Sequence, residues 1–438
     1  MIRKDLFPEW VVMALVVAFV ISFRDVKIFG FGIAALQFML GMVILIITPK
    51  GYREEAVFLK KTNRYWYWFL GYISLWSLML LINTGQFWPG AIFDIVFAVA
   101  VLKWASRINP IQLRKWLVLV LGLYFVLNFA AGGFELLLGQ DSISLLHKNE
   151  YGSSGRIRML SAEPSNIYAP FLVGLGLIWS LRHKYRWILS LGICLFLVLS
   201  GSKAFPFVAA LSIVFALLVG RSHNQLNNKM IMVWLLGVTV MIMVLIVTSS
   251  PIMSTLLNNN SSAGLFGTDI NIADYILDLS EDGQGSLATR STLYIHSINA
   301  FISNPIFGVG PAGEGESLLS RAEMTGLITP EIIQYSHDNP KFITSKTYGL
   351  SLLVSYGLPA LLVVYYSIVN VIRQYGRSSI IFSISALAFS LFVTEGYNIF
   401  VWLVLCILAG QATSSPASTV ITNPYRRNQL VGRDIVPA

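Results

Sequence analysis

Apolar runs of about 15 to 25 residues recur along most of this chain, each long enough, or nearly so, to cross a hydrocarbon core of about 30 Å as a helix. Backbone polar groups in lipid must be satisfied within the segment or in a closed barrel, so runs of this length leave few folds open. The composition agrees: 55% hydrophobic, 12% charged and a mean hydropathy of +0.67. The expected fold class is all-α, a polytopic membrane protein with about twelve transmembrane helices and one long, partly helical external loop. The spans are centred at about residues 15, 38, 74, 95, 127, 174, 193, 212, 240, 358, 387 and 405. Residues 1–250 then carry spans one to nine, 251–346 form the loop, and 347–438 carry the last three spans and a cytoplasmic tail. The first run follows Arg3 and Lys4 like a signal peptide. Val20, Ile21, Ser22 and Phe23 offer no small-x-small cleavage site, so a retained anchor is expected.

Orientation follows from the basic residues, which collect in short cytoplasmic loops. With the N-terminus in the cytoplasm, about two thirds of the 31 Lys and Arg fall inside, among them Lys50, Arg53, Lys60, Lys61, Arg64, Lys103, Arg107, Arg114, Arg182, Arg186, Arg373 and Arg377. The C-terminus is then cytoplasmic too. A net charge of +9 therefore reports topology, and no nucleic-acid partner is implied. Cys194 and Cys406 both sit in apolar runs, and no Cys or His pair has metal-ligand spacing. Neither a metal site nor a cofactor is expected, and no Walker A or dinucleotide glycine pattern occurs in an inner loop.

Four outward-facing places concentrate polar residues. The first runs from Ser153 through Arg156, Arg158 and Glu163 to Asn166 and enters an apolar helix at Tyr168. It reads either as a capped helix start with interfacial arginines or as two guanidiniums beside a positive helix end, a cradle for phosphate. The second, Ser200-Gly201-Ser202-Lys203, is a tight turn that also holds a cation near the lipid head groups. In the third, apolar residues at 293, 295, 298, 301 and 302 follow Arg290 at near-helical spacing. Asn304-Pro305, with Gly308 and Gly310, then ends the helix. The fourth is Tyr335-Ser336-His337-Asp338-Asn339, followed by Ser345-Lys346-Thr347-Tyr348-Gly349 at the head of the tenth span.

An Arg-headed helix ending in "NPIFGVG", then His-Asp-Asn and "TYGLSLLVSYGLPA", on about twelve spans with a long loop between the ninth and tenth, resembles the O-antigen polymerase and O-antigen ligase superfamily. The sequence-level likeness covers 156–203 and 290–359, about a third of the chain. Two positions depart from the pattern: Lys203 stands where the ligases and many polymerases have arginine, and Asp338 follows the histidine where Asn or Ser is commoner. A lysine still binds phosphate, as a point charge without the bidentate fork.

The resemblance implies a metal-independent glycosyltransferase on the periplasmic face of a bacterial inner membrane, with an undecaprenyl-diphosphate-linked oligosaccharide as donor. Membrane lipids are further partners, and a chain-length regulator protein an optional one. Such a site must stabilise the departing diphosphate, take a proton from the attacking hydroxyl and admit a lipid. Arg156, Arg158, Lys203 and Arg290 are the expected diphosphate ligands, and His337 or Glu163 the base. Glu163 also reads as a group that pairs with an arginine and holds it; His337 also reads as a local hydrogen-bonding group. His147, His183, His223 and His296 are taken as structural. A polymerase of repeat units is the first expectation and a ligase acting on lipid A-core the second. A lipid-linked oligosaccharide flippase is the third, disfavoured because no internal repeat or charged span is visible.

Overall fold

The computed structural model of the protein describes residues 27–28, 31–32, 38–43, 57–84, 90–105, 110–138, 167–199, 204–222, 227–248, 285–310, 313–327, 332, 343–394 and 399–414. These are almost wholly helical, as expected. The exception is a two-residue antiparallel pair, β1 (Lys27–Ile28) with β2 (Phe31–Gly32).

Helices cover the expected centres beyond the second. They are α1 (Val57–Thr84), α2 (Gly90–Ala105), α3 (Pro110–Leu138), α4 (Tyr168–Ser180), α5 (Arg186–Leu199), α6 (Ala204–Ser222) and α7 (Asn228–Thr248). The second centre falls at residues 38–43, which are helical, and the first lies outside the described residues. The polar segment contributes α8 (Gly285–Ser303) and α9 (Glu314–Thr325). The C-terminal part holds α10 (Tyr348–Tyr356), α11 (Leu358–Tyr375), α12 (Ser378–Ser390) and α13 (Ile399–Ser414). Among the described residues only α3 is, by length and composition together, long and apolar enough to cross a membrane; α4, α5, α6, α7, α12 and α13 are shorter apolar helices. The described helices therefore do not by themselves establish twelve crossings.

Part of the outward surface is nevertheless strongly apolar. On α5, Trp187, Ile188, Leu191, Leu195 and Val198 form an exposed apolar stripe, while Ile193 and Leu197 on the opposite side are buried. Contiguous apolar stripes of this kind mark contact with lipid or another chain. At the centre, α12 is largely buried from Ile380 to Ser390 and packs through small residues. Ser383 Oγ donates to Val173 O of α4 at 2.8 Å. A Cβ on Gly176 would meet the Ser383 hydroxyl and lie 2.6 Å from Ser379 O, so close approach of α4 and α12 requires glycine there.

The tenth span, expected as one helix centred at about residue 358, is broken at Gly357 into α10 and α11. The reason is sequence-local: Gly357 takes φ +73°, and Pro359 in the first turn of α11 has no N–H to continue the ladder. All four carbonyls left open at the end of α10 find donors. Leu353 O accepts from Gly357 N at 2.9 Å, Val354 O from Val309 N at 2.7 Å, and Ser355 O from Gly310 N at 2.9 Å. Tyr356 O accepts from the Tyr72 hydroxyl of α1 at 2.8 Å. Irregular backbone between apolar helices persists only where such partners exist.

Candidate functional site

The segment Asn304 to Gly310 supplies those partners because its own backbone is glycine-shaped. Gly308 N closes the α8 ending onto Asn304 O at 2.9 Å, and Leu358 N reaches back to Pro305 O at 2.8 Å. Gly308 (φ +70°) and Gly310 (φ +85°) are both left-handed, and a Cβ on Gly308 would lie 2.5 Å from the Ser355 carbonyl carbon. The expected helix ending at Asn304-Pro305 is thus present, and its purpose is to dock α8 against the break. This fixes α8, and with it Arg290, relative to α10 and α11.

Arg290 is half-buried on α8, with Nη1 turned toward Val393 O at 3.5 Å, just past the end of α12. One turn further on, Tyr294 is buried beside the Thr347 side chain. Burial pushes its hydroxyl pKa up, and Thr347 and the Arg290 charge pull it back. Thr347 is the N-cap of α10, its side chain accepting from Leu350 N at 3.4 Å. The other three N–H groups of that first turn are also taken: Tyr348 N by Thr394 O at 3.0 Å, Gly349 N by Leu391 O at 2.7 Å, and Ser351 N by Thr347 O at 3.0 Å. The start of α10 therefore offers no backbone donor to an anion, and side chains must supply the positive charge. Lys346 immediately precedes this cap in a left-handed conformation, φ +57°, which a residue with a Cβ adopts at a cost of roughly 1–2 kcal/mol.

The preceding strap is pinned by Glu314, a residue the sequence reading did not single out. Its carboxyl group is buried, and Oε1 accepts from Ser345 N at 2.9 Å, Ser345 Oγ at 2.6 Å and Ser351 Oγ at 2.6 Å. Ser355 Oγ donates to Oε2 at 3.1 Å. The signal was present: Ser351 and Ser355 are one turn apart on a helix otherwise apolar, and a polar stripe there implies a polar partner. With Ser345 and the Thr347 cap fixed, Lys346 between them has little freedom to move.

Arg290 is the one expected site residue among those described. Arg156, Arg158, Glu163, Lys203 and His337 lie outside the described residues, although α4 begins at Tyr168 as expected and α6 begins immediately after Lys203. His296, taken as structural, is buried with Nε2 2.8 Å from Leu327 O; burial lowers its pKa and that contact opposes the shift. Among the described residues no group of His, Cys, Asp and Glu is arranged to hold a metal.

Residues 187–365, from α5 into α11, match the family model described as O-antigen ligase. The match spans less than half of the chain. It bears out the resemblance to the O-antigen polymerase and ligase superfamily, and it encloses Arg290, Glu314, Lys346 and the broken helix. No curated protein matches the chain. The matched domain family is a class of membrane proteins that handle lipid-linked glycans in polysaccharide and lipopolysaccharide biosynthesis.

Proposed function

We propose that the protein is a glycan polymerase that joins polyprenyl-diphosphate-linked oligosaccharide repeat units on the periplasmic face of the inner membrane. The observation that carries this reading is the setting of Arg290: a half-buried guanidinium, on a helix docked to a broken membrane helix, inside the residues that match the ligase family. The acceptor hydroxyl attacks the anomeric carbon of the donor, and the bond from that carbon to the diphosphate oxygen breaks with its electron pair leaving on the diphosphate. Arg290 stabilises that charge, with Lys346 beside the α10 cap as a second cation. Arg156, Arg158 and Lys203 are proposed to complete the diphosphate site, and His337 or Glu163 to take the hydroxyl proton. Ile306 and Phe307 are exposed where the "NPIFGVG" segment meets the break, and offer apolar surface for the polyprenyl chain.

Ligation of finished glycan to lipid A-core is the second reading, favoured by the description of the matched family. The two share the donor and differ in the acceptor, so purified protein is given lipid-linked repeat units alone and then with lipid A-core. Elongated lipid-linked chains in the first mixture support the polymerase. Product appearing only on lipid A-core replaces it with the ligase.

A further inference from the structure

At the opposite end of α4 from its start at Tyr168, the chain turns in a way its sequence should disfavour. Arg182 N donates to Trp179 O at 3.1 Å and His183 N to Ile178 O at 3.5 Å, the paired bonds of a Schellman ending, with Arg182 left-handed at φ +51°. Glycine is the usual residue there because a Cβ is crowded. The ends of α9 and α11 use it, as Gly326 and Gly376.

Two more guanidiniums collect at this end of the bundle. Arg114, in the first turns of α3, donates from Nε to Leu181 O at 2.9 Å and also from Nη2. Arg377, just before α12, donates from Nη2 to Thr413 O at the end of α13. Capping of helix C-termini accounts for these two. It does not account for Arg182, whose exposed guanidinium makes no hydrogen bond or ion pair with the described residues. Both charges act on Arg377: partial burial lowers its pKa, and the charges of Arg182 and then Arg114 lower it further. No ion pair joins any of them to a carboxylate among the described residues. A like-charged cluster that also places an arginine in a glycine position is unfavourable unless an anion offsets it.

The surroundings identify the anion's class. Lys184 lies over the Tyr185 ring at 4.6 Å and Arg186 over Trp179 at 4.9 Å, and Trp179 packs edge-on to Trp187 at 4.5 Å. Tyr185, Trp187 and Ile188 are exposed. Aromatic residues interleaved with basic ones are the mark of the membrane–water interface, level with the head groups. We propose that Arg114, Arg182 and Arg377 bind the phosphate of an anionic phospholipid head group, whose acyl chains lie along the exposed stripe of α5. Guanidiniums suit phosphate oxygens through paired N–H donors, and anionic lipid in the adjoining leaflet supplies the ligand.

The test uses the full-length protein, delipidated in neutral detergent, with the unfolding midpoint measured in phosphatidylglycerol, in phosphatidylcholine and in inorganic phosphate without lipid. Phosphatidylglycerol is expected to raise the midpoint by about 3 °C, with little effect from the other two. Arg182→Gly removes both the crowded conformation and the cation. It is expected to raise the midpoint without lipid while losing at least half of the phosphatidylglycerol shift, whereas a purely structural Arg182 would lower the lipid-free midpoint. Arg377→Gln should lose a comparable part of the shift. An unchanged shift in both variants, or none in the wild type, overturns the proposal; the full shift with inorganic phosphate alone reassigns the site to a free phosphate.

Discussion

Glu314 and Ser351 stand 37 residues apart in the chain and meet at 2.6 Å between Oε1 and Oγ, within a carboxyl group that also accepts from Ser345 and Ser355. Replacing it with alanine leaves three serine hydroxyls and the Ser345 N–H without their acceptor in a buried place. Glu314→Ala should therefore destabilise the protein by about 3 kcal/mol. Glu314→Gln keeps one acceptor oxygen and should cost less than half as much. Unfolding of both variants in detergent checks the order, and equal losses would show that the carboxyl group's hydrogen bonds are not what holds the strap.

Gly308 and Gly326 have nearly the same backbone, φ +70° and +69°, but different surroundings. A Cβ on Gly308 meets the Ser355 carbonyl group, whereas nothing lies within 4 Å of one on Gly326. Gly326→Ala should cost only the conformational term of roughly 1–2 kcal/mol. Gly308→Ala must also push α8 away from the break, so it should lower expression of folded protein and abolish transfer. Equal behaviour of the two variants would mean that the docking of "NPIFGVG" to α10 is not rigid.

Helix positions were legible because apolar run length is a strong signal, and the α8 ending was legible because Asn-Pro and glycine leave few alternatives. The break at Gly357 was not. Gly357 and Pro359 mark the place, but the run on either side of them is mostly apolar and hydropathy reads it as continuous; the donors from Val309, Gly310 and Tyr72 make the interruption stable. Arg290 was found because a cation just ahead of an apolar helical pattern in a polar segment is conspicuous, although the helix starts earlier than expected, at Gly285, and Arg290 lies inside it. Glu314 was missed because its partners are serines far along the chain: the polar stripe of Ser351 and Ser355 calls for a polar partner without saying which residue supplies it. Arg182 was read for topology alone, since nothing in sequence distinguishes an arginine in a left-handed helix ending from one in an ordinary loop.

His296 gives the polar segment a pH dependence of definite sign. Burial holds its folded pKa below the unfolded value of about 6.5, so the unfolded chain binds the proton first as pH falls. The stability this residue contributes is complete above about pH 6.5 and declines below it, toward the depressed folded pKa. Comparing unfolding midpoints at several pH values between 7.5 and 5.5, the wild type should lose more than His296→Gln, which cannot take the charge. The same slope in both would place the titrating group elsewhere.

Arg290 carries the most direct prediction about chemistry. Its guanidinium is held by α8 against the end of α12, near the Tyr294 hydroxyl, so it is oriented before substrate arrives. A preorganised cation facing a developing charge contributes about 2.7–4 kcal/mol to the transition state, and Arg290→Ala should slow turnover by about 10²–10³. Arg290→Lys should recover only part of this, because an ammonium grips one diphosphate oxygen where a guanidinium grips two. The loss should fall on kcat more than on the donor KM, since the charge it meets grows as the bond breaks. The assay is chain extension of purified lipid-linked repeat units, with folding of each variant checked by its unfolding midpoint. Wild-type turnover by a well-folded Arg290→Ala protein would remove this residue from the site and leave the diphosphate to Lys346 and the cations of the other outer segments.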